Sequence, residues 1–149
     1  MPLKDQEYLQ INQALFSLTH AYETRMAKEH PADETGLTVF DCAILMVIGQ
    51  SAPIISSELA QRMDVAASTI SVYVRRLTQQ SLVRMERDEA DRRTWWLHLT
   101  ETGQLAYEAV IAGTIEYTRD FIAMLTPKEE ETLHHLLLKI SHGLGFTWQ

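Results

Sequence analysis

The sequence predicts a mainly α-helical fold with one small β-hairpin, on three observations. Apolar residues recur at intervals of three and four over most of the 149 positions. The period drops to two in one stretch, 82–99, which a charged loop divides. Capping and breaking residues, among them Thr38, Pro53, Ser56 and Thr126-Pro127, fall where periodic runs begin or end. A composition of 46% hydrophobic and 22% charged residues suits one folded domain and excludes a disordered chain.

Taken in order, Tyr8, Ile11, Leu15, Leu18, Tyr22 and Met26 form one face of a long first helix, 8–29. Residues 30–36, polar with a proline and a glycine, break it. Thr38 caps a second helix with Asp41 at its third position, running to about Gly49 and apolar on most sides, hence central to the core. Ser51-Ala52-Pro53 ends it. A short helix capped by Ser56 or Ser57 runs to Met63, Asp64-Val65 turns, and a helix over 67–80 points Ile70, Val74 and Leu77 inward. Residues 82–85 then read as a strand, 86–93 as a charged loop and 94–99 as the returning strand. On that strand Trp95, Leu97 and Leu99 share one face, and Trp96 and His98 the other. Whether Trp96 and His98 lie near a ligand or line a pocket is open at this level. Two helices finish the chain. The first covers about 100–125, with Leu105, Ala109 and Ala112 on one stripe. The second opens on Thr126-Pro127-Lys128-Glu129, a capping box with proline at the first position.

The longest apolar run, Cys42 to Ile48, is far shorter than the roughly 20 residues of a membrane span. The N-terminal MPLKDQEYLQINQ is charged where a signal peptide is apolar, so the chain reads as cytoplasmic with no membrane partner. A single cysteine excludes an internal disulfide and a cysteine-based zinc site, and the six histidines show no HxxxH or HExxH spacing. With no nucleophile–base pair and no phosphate loop, the residues imply neither an enzyme nor a cofactor.

Charge is distributed unevenly. The whole chain carries −7, yet 56–99 holds seven arginines against six carboxylates and is net +1. Arginine suits bidentate contact with phosphate or guanine. Two helices joined by a tight turn and followed by a hairpin with a basic tip make a winged helix-turn-helix, whose second helix fits the DNA major groove. On that helix Ser68, Thr69 and Ser71 are placed to reach bases or phosphates, and Arg75 and Arg76 to hold phosphate. In the loop, Arg87, Arg92 and Arg93 can enter the adjacent minor groove, and Asp91 orients a neighbouring arginine rather than touching DNA. The apolar faces of 8–29, 100–125 and 126–142 exceed what one small lobe covers, which predicts a homodimer.

These residues resemble a known family. Glu58-Leu59-Ala60, Ser68-Thr69-Ile70-Ser71, Arg76-Leu77, Leu82-Val83, the wing run Arg87 to Arg93, and Leu97-His98-Leu99-Thr100-Glu101-Thr102-Gly103 are similar to the MarR transcriptional regulators. The resemblance covers nearly the whole chain, and its specific part is the wing followed by Leu-Thr-x-x-Gly. It implies one domain over 1–149, with residues 37–99 as the DNA-binding lobe and 1–36 and 100–149 as dimerisation helices. It further implies a homodimer that binds a pseudo-palindrome in double-stranded DNA, acts as a repressor, and is released by a small-molecule effector, phenolic or otherwise amphipathic. Five positions depart from the family pattern. Ala66 lacks a capping hydroxyl, Ser81 stands where glycine is common, and Ala67, Val72 and Tyr73 occupy positions often polar or basic, which shifts base readout toward few hydrogen bonds plus apolar contact with thymine methyls. Two rival readings remain. One is a redox sensor working through Cys42, against which stand its apolar helix and the adjacent Asp41. The other is a winged-helix module that binds protein and not DNA, against which stand the seven arginines.

Overall fold

The computed structural model describes residues 1–29 and 36–145. The chain divides into two compact units, Met1–Val39 and Phe40–Gln149. The first contains helix α1, Asp5–Glu29, three residues longer at its start than the apolar pattern indicates. Asp5 and Glu7 occupy its first turn and Lys28 its last, charges that complement the helix dipole. The Glu7 carboxylate also accepts from the backbone N–H of Lys4 at 2.7 Å. Tyr8, Leu9, Ile11, Leu15, Phe16 and Leu18 are all exposed on α1, a large uncovered apolar surface.

The remaining elements follow in chain order: α2 (Val39–Ser51), β1 (Ile54–Ile55), α3 (Ser56–Arg62), α4 (Ala67–Gln79), β2 (Val83–Arg87), β3 (Trp95–Leu99), α5 (Glu101–Phe121) and α6 (Pro127–Gly143). That makes six helices and three strands among the described residues. The core of the second unit is made by Ile44, Leu45 and Ile48 of α2, Ile54, Leu59, Ile70 and Leu77 of the next three elements, and Leu97 of β3, none with measurable exposure. Ile70, Val74 and Leu77 point inward, as the 3.6-residue period requires.

The sheet differs from a plain hairpin. Its order is β1-β3-β2, all antiparallel, with Ile54 opposite Leu97 and Val83 opposite Leu99. β1 is two residues long, too short for any alternation to show in sequence. β2 runs on to Arg87, two residues beyond the expected end, which shortens the loop to 88–94. The α3 cap also differs: Ile55 occupies the N-cap and makes no side-chain bond, so Ser56 lies inside the helix. Along β3, Leu97 is fully buried while Trp95 is exposed near the tip and Trp96 and His98 are half-buried.

One junction holds the end of α4 against the start of α5. Ser81 adopts φ 60° and ends α4, with Ser81 N–H bonding Thr78 O at 3.0 Å and Leu82 N–H bonding Leu77 O at 2.9 Å, the paired bonds of a Schellman motif. Thr100 caps α5: its hydroxyl accepts from Gly103 N–H at 2.9 Å and donates to Ser81 O at 2.6 Å. Its own N–H bonds Leu82 O at 3.0 Å. Gly103 lies so close to Leu82 that a Cβ there would overlap the Leu82 carbonyl. The Leu-Thr-x-x-Gly pattern is therefore the covalent record of this packing, and it fixes where the hairpin leaves the helix-turn-helix. No helix among the described residues is long and apolar enough to cross a membrane.

Candidate nucleic-acid interface

Helix α4 turns one face to the core and the opposite face to solvent. At 100° per residue Ser68, Ser71, Val72 and Arg75 fall together on the outer side. All four are exposed, and Val72 retains 64% of its surface, unusual for an apolar residue flanked by polar ones. Thr69 sits at the margin, half-buried. The Ser71 hydroxyl donates to Ala67 O at 2.9 Å and keeps its lone pairs outward. Ala66 caps the helix without a side-chain bond. Tyr73 is packed against the Phe40 ring at 4.6 Å between centroids, which aligns α4 on α2.

The seven arginines of 56–99 separate by what they touch. Arg62 bonds Glu58 at 2.8 Å and Ser51 at 2.6 Å. Arg84 pairs with Glu86 at 2.8 Å, and His98 lies 3.5 Å from the same carboxylate oxygen. Arg76 reaches back to Asp41 on α2 at 2.8 Å, and that carboxylate is completely buried. Although adjacent to Arg75, Arg76 thus faces the body while Arg75 faces outward. The guanidinium of Arg87 donates from Nε to the Arg92 carbonyl at 2.6 Å and lies 5.5 Å over the Trp95 ring. Arg75, Arg92 and Arg93 remain, exposed and with no carboxylate on their guanidinium groups among the described residues.

The wing tip is built by two carboxylates. Asp88 Oδ1 accepts from the N–H groups of Ala90 at 2.9 Å and Asp91 at 2.6 Å, and Oδ2 accepts from the Trp96 indole N–H at 2.7 Å. These bonds, the Asp91 N–H first, hold the Asp88 carboxyl below its ordinary pKa. Asp91 accepts from the backbone N–H of Arg93 at 3.0 Å and the Thr94 hydroxyl at 2.9 Å. It therefore acts on the arginine's backbone, not on its guanidinium. A cross-strand pair, Asp88 N–H to Thr94 O at 3.0 Å, closes the loop.

Cys42 is half-buried in α2. Burial, and then the neighbouring Asp41 carboxylate, push its thiol above the ordinary value. The reactive thiolate is accordingly scarce at neutral pH. No group of three or more histidine, cysteine or carboxylate side chains arranged to hold a metal occurs among the described residues.

Comparison with known proteins agrees with this geometry. A sequence profile of the MarR family matches residues 35–94. The HTH-type transcriptional repressor MdtR of Bacillus subtilis (strain 168) is 27% identical over 111 residues, spanning 74% of this chain and 72% of that protein. AbsC, a MarR family transcriptional regulator from Streptomyces coelicolor, superimposes with a TM-score of 0.78 at 26% identity over 99% of both chains. The fold is also that of Streptococcus pneumoniae FabT, solved in complex with DNA, at a TM-score of 0.79 and 19% identity over 93% of this chain and 97% of that one. A profile match over the lobe and an end-to-end structural match place this chain in the MarR family of winged-helix transcriptional regulators, which bind DNA.

Proposed function

We propose that this chain is a homodimeric repressor that reads a pseudo-palindromic operator through α4 and the wing. The observation that carries the reading is the set of three exposed arginines without carboxylate partners, Arg75 on α4 and Arg92 and Arg93 on the wing, in a protein whose net charge is −7. An acidic body repels DNA, so attraction has to come from these positions. Ser68, Thr69 and Ser71 supply hydrogen bonds at the N-terminal part of α4, and Val72 supplies apolar surface for thymine methyls. Arg75 holds backbone phosphate, while Arg92 and Arg93 enter the minor groove. Arg76 and Arg87 act from within, Arg76 by tying α4 to Asp41 and Arg87 by bracing the wing through the Arg92 carbonyl.

Residues 37–99 form the reading lobe, and 1–36 and 100–149 supply dimerisation. Supporting this are the exposed apolar residues of α1 together with Leu105 and Ile115 of α5 and Leu136, Leu137 and Ile140 of α6. Faces of this kind are uncommon on a monomer. Family resemblance supports repression relieved by a small amphipathic effector, and MdtR is named a repressor. Selection of binding sites from random duplexes, followed by sedimentation of protein with the selected DNA, tests the assignment. The expected result is two protomers per duplex on an inverted repeat. A compact, stable monomer at micromolar concentration, or no enrichment of any sequence, would overturn it.

A further inference from the structure

Two side chains of the hairpin strands bond into the wing tip: Arg87 of β2, through the Arg92 carbonyl, and Trp96 of β3, through the Asp88 carboxylate. Trp96 stands opposite Glu86 and is half-buried, so its ring is held by the sheet. Its indole N–H donates to Asp88 Oδ2 at 2.7 Å, while Asp88 Oδ1 gathers the N–H groups of Ala90 and Asp91. Asp91 in turn receives the backbone N–H of Arg93. A continuous chain of bonds thus runs from a sheet-anchored ring to the backbone of an exposed arginine. We infer that Trp96 is a positioning residue for DNA recognition, fixing through Asp88 the conformation in which the wing presents Arg92 and Arg93.

The physical reason lies in the alternatives open to the loop. Residues 88–94 are polar and mostly exposed, so no apolar burial orders them. Their order rests on hydrogen bonds that water can replace, except where a charge-assisted bond ties the loop to a rigid part. Among the described residues the side-chain bond that ties the loop to the central strand is that of Trp96, whereas Arg87 braces it from the edge strand β2. An untethered wing would lose ordering entropy on each binding event, which lowers affinity without removing any DNA contact. The lowered pKa of Asp88 is consistent with an acceptor that stays charged throughout the neutral range.

This inference rests on the reading of the wing as a DNA contact, and the test separates the two. Affinity for a selected duplex is measured at several salt concentrations for Trp96→Phe, which keeps an aromatic ring, smaller than the indole, and removes the donor, and for Asp88→Asn, which alters the same bond from the loop side. The double substitution Arg92→Ala/Arg93→Ala is measured alone and combined with Trp96→Phe. Trp96→Phe and Asp88→Asn are each expected to weaken binding about tenfold per dimer, since one charged hydrogen bond is lost in each of two wings. In the Arg92→Ala/Arg93→Ala background Trp96→Phe is expected to weaken it no further, because the residues it positions are gone. Wild-type affinity for both Trp96→Phe and Asp88→Asn, or an undiminished tenfold effect in the arginine-less background, would overturn the inference. If instead the arginine double substitution itself changed nothing, the reading of the wing would fall first.

Discussion

Two arginines adjacent in sequence have opposite fates, and that difference is measurable. Arg76 faces a carboxylate with no exposure, although its own side chain is 39% exposed, so the pair is partly screened. Arg76→Ala strands the buried charge of Asp41 and is expected to cost about 2–3 kcal/mol in urea denaturation, below the loss for a fully enclosed pair. It should leave the salt dependence of DNA binding unchanged. The glycine of the α4–α5 junction makes a second residue-scale prediction: Gly103→Ala forces a Cβ into the Leu82 carbonyl and should cost at least about 3 kcal/mol. By contrast Ser81→Gly should raise the unfolding midpoint, by about 0.5–1 kcal/mol, because Ser81 holds φ 60°. The departure at Ser81 was legible through the family pattern, which commonly has glycine there, but that Ser81 itself takes φ 60° required the fold. The partners of Arg76 and Trp96 were not legible. Asp41 pairs with Arg76 across two helices, and the indole bond joins a strand to a loop, so neither spacing carries a periodic signal.

At the scale of elements, hydrophobic period and caps carried most of the information. The box predicted at Thr126 and Glu129 is present: Glu129 Oε2 accepts from the Thr126 N–H and hydroxyl, each at 2.8 Å. Those bonds, the Thr126 N–H first, hold the Glu129 carboxyl below 4.5. A carboxylate whose folded pKa is depressed contributes stability that is present above its unfolded value and is lost as pH falls through the folded value. The unfolding-midpoint difference between wild type and Glu129→Ala should therefore be constant near neutrality and close as the solution is acidified below pH 4.5. A difference that grew on acidification would contradict the cap. What the pattern did not carry was β1. Ile54 and Ile55 pair with Leu97 and Trp96, a third strand made by two residues that alone look like any apolar pair. The wing was legible as a basic loop, but its internal order, set by two carboxylates accepting backbone N–H groups, required the fold.

Over the whole molecule, electrostatics and burial divide the labour. Acidic charge outweighs basic by seven, and within 56–99 the exposed arginines with no carboxylate partner among the described residues stand on one helix face and one hairpin tip. The apolar surface left exposed on α1, α5 and α6 is what the proposed dimer would cover, so dilution should dissociate and unfold the protein together. The two faces require each other: a dimer aligns two lobes, and two lobes double every contact with the operator. The most direct test of this account is the slope of log affinity against log salt for wild type, Arg75→Ala, Arg92→Ala/Arg93→Ala and Arg76→Ala on one selected duplex. Each arginine that meets phosphate releases about one counterion per lobe, so its loss should reduce the slope by about 2 in the dimer. Arg75→Ala should show that reduction, the double wing substitution roughly twice it, and Arg76→Ala none. Equal slopes for all four proteins, or a reduction confined to Arg76→Ala, would contradict the account.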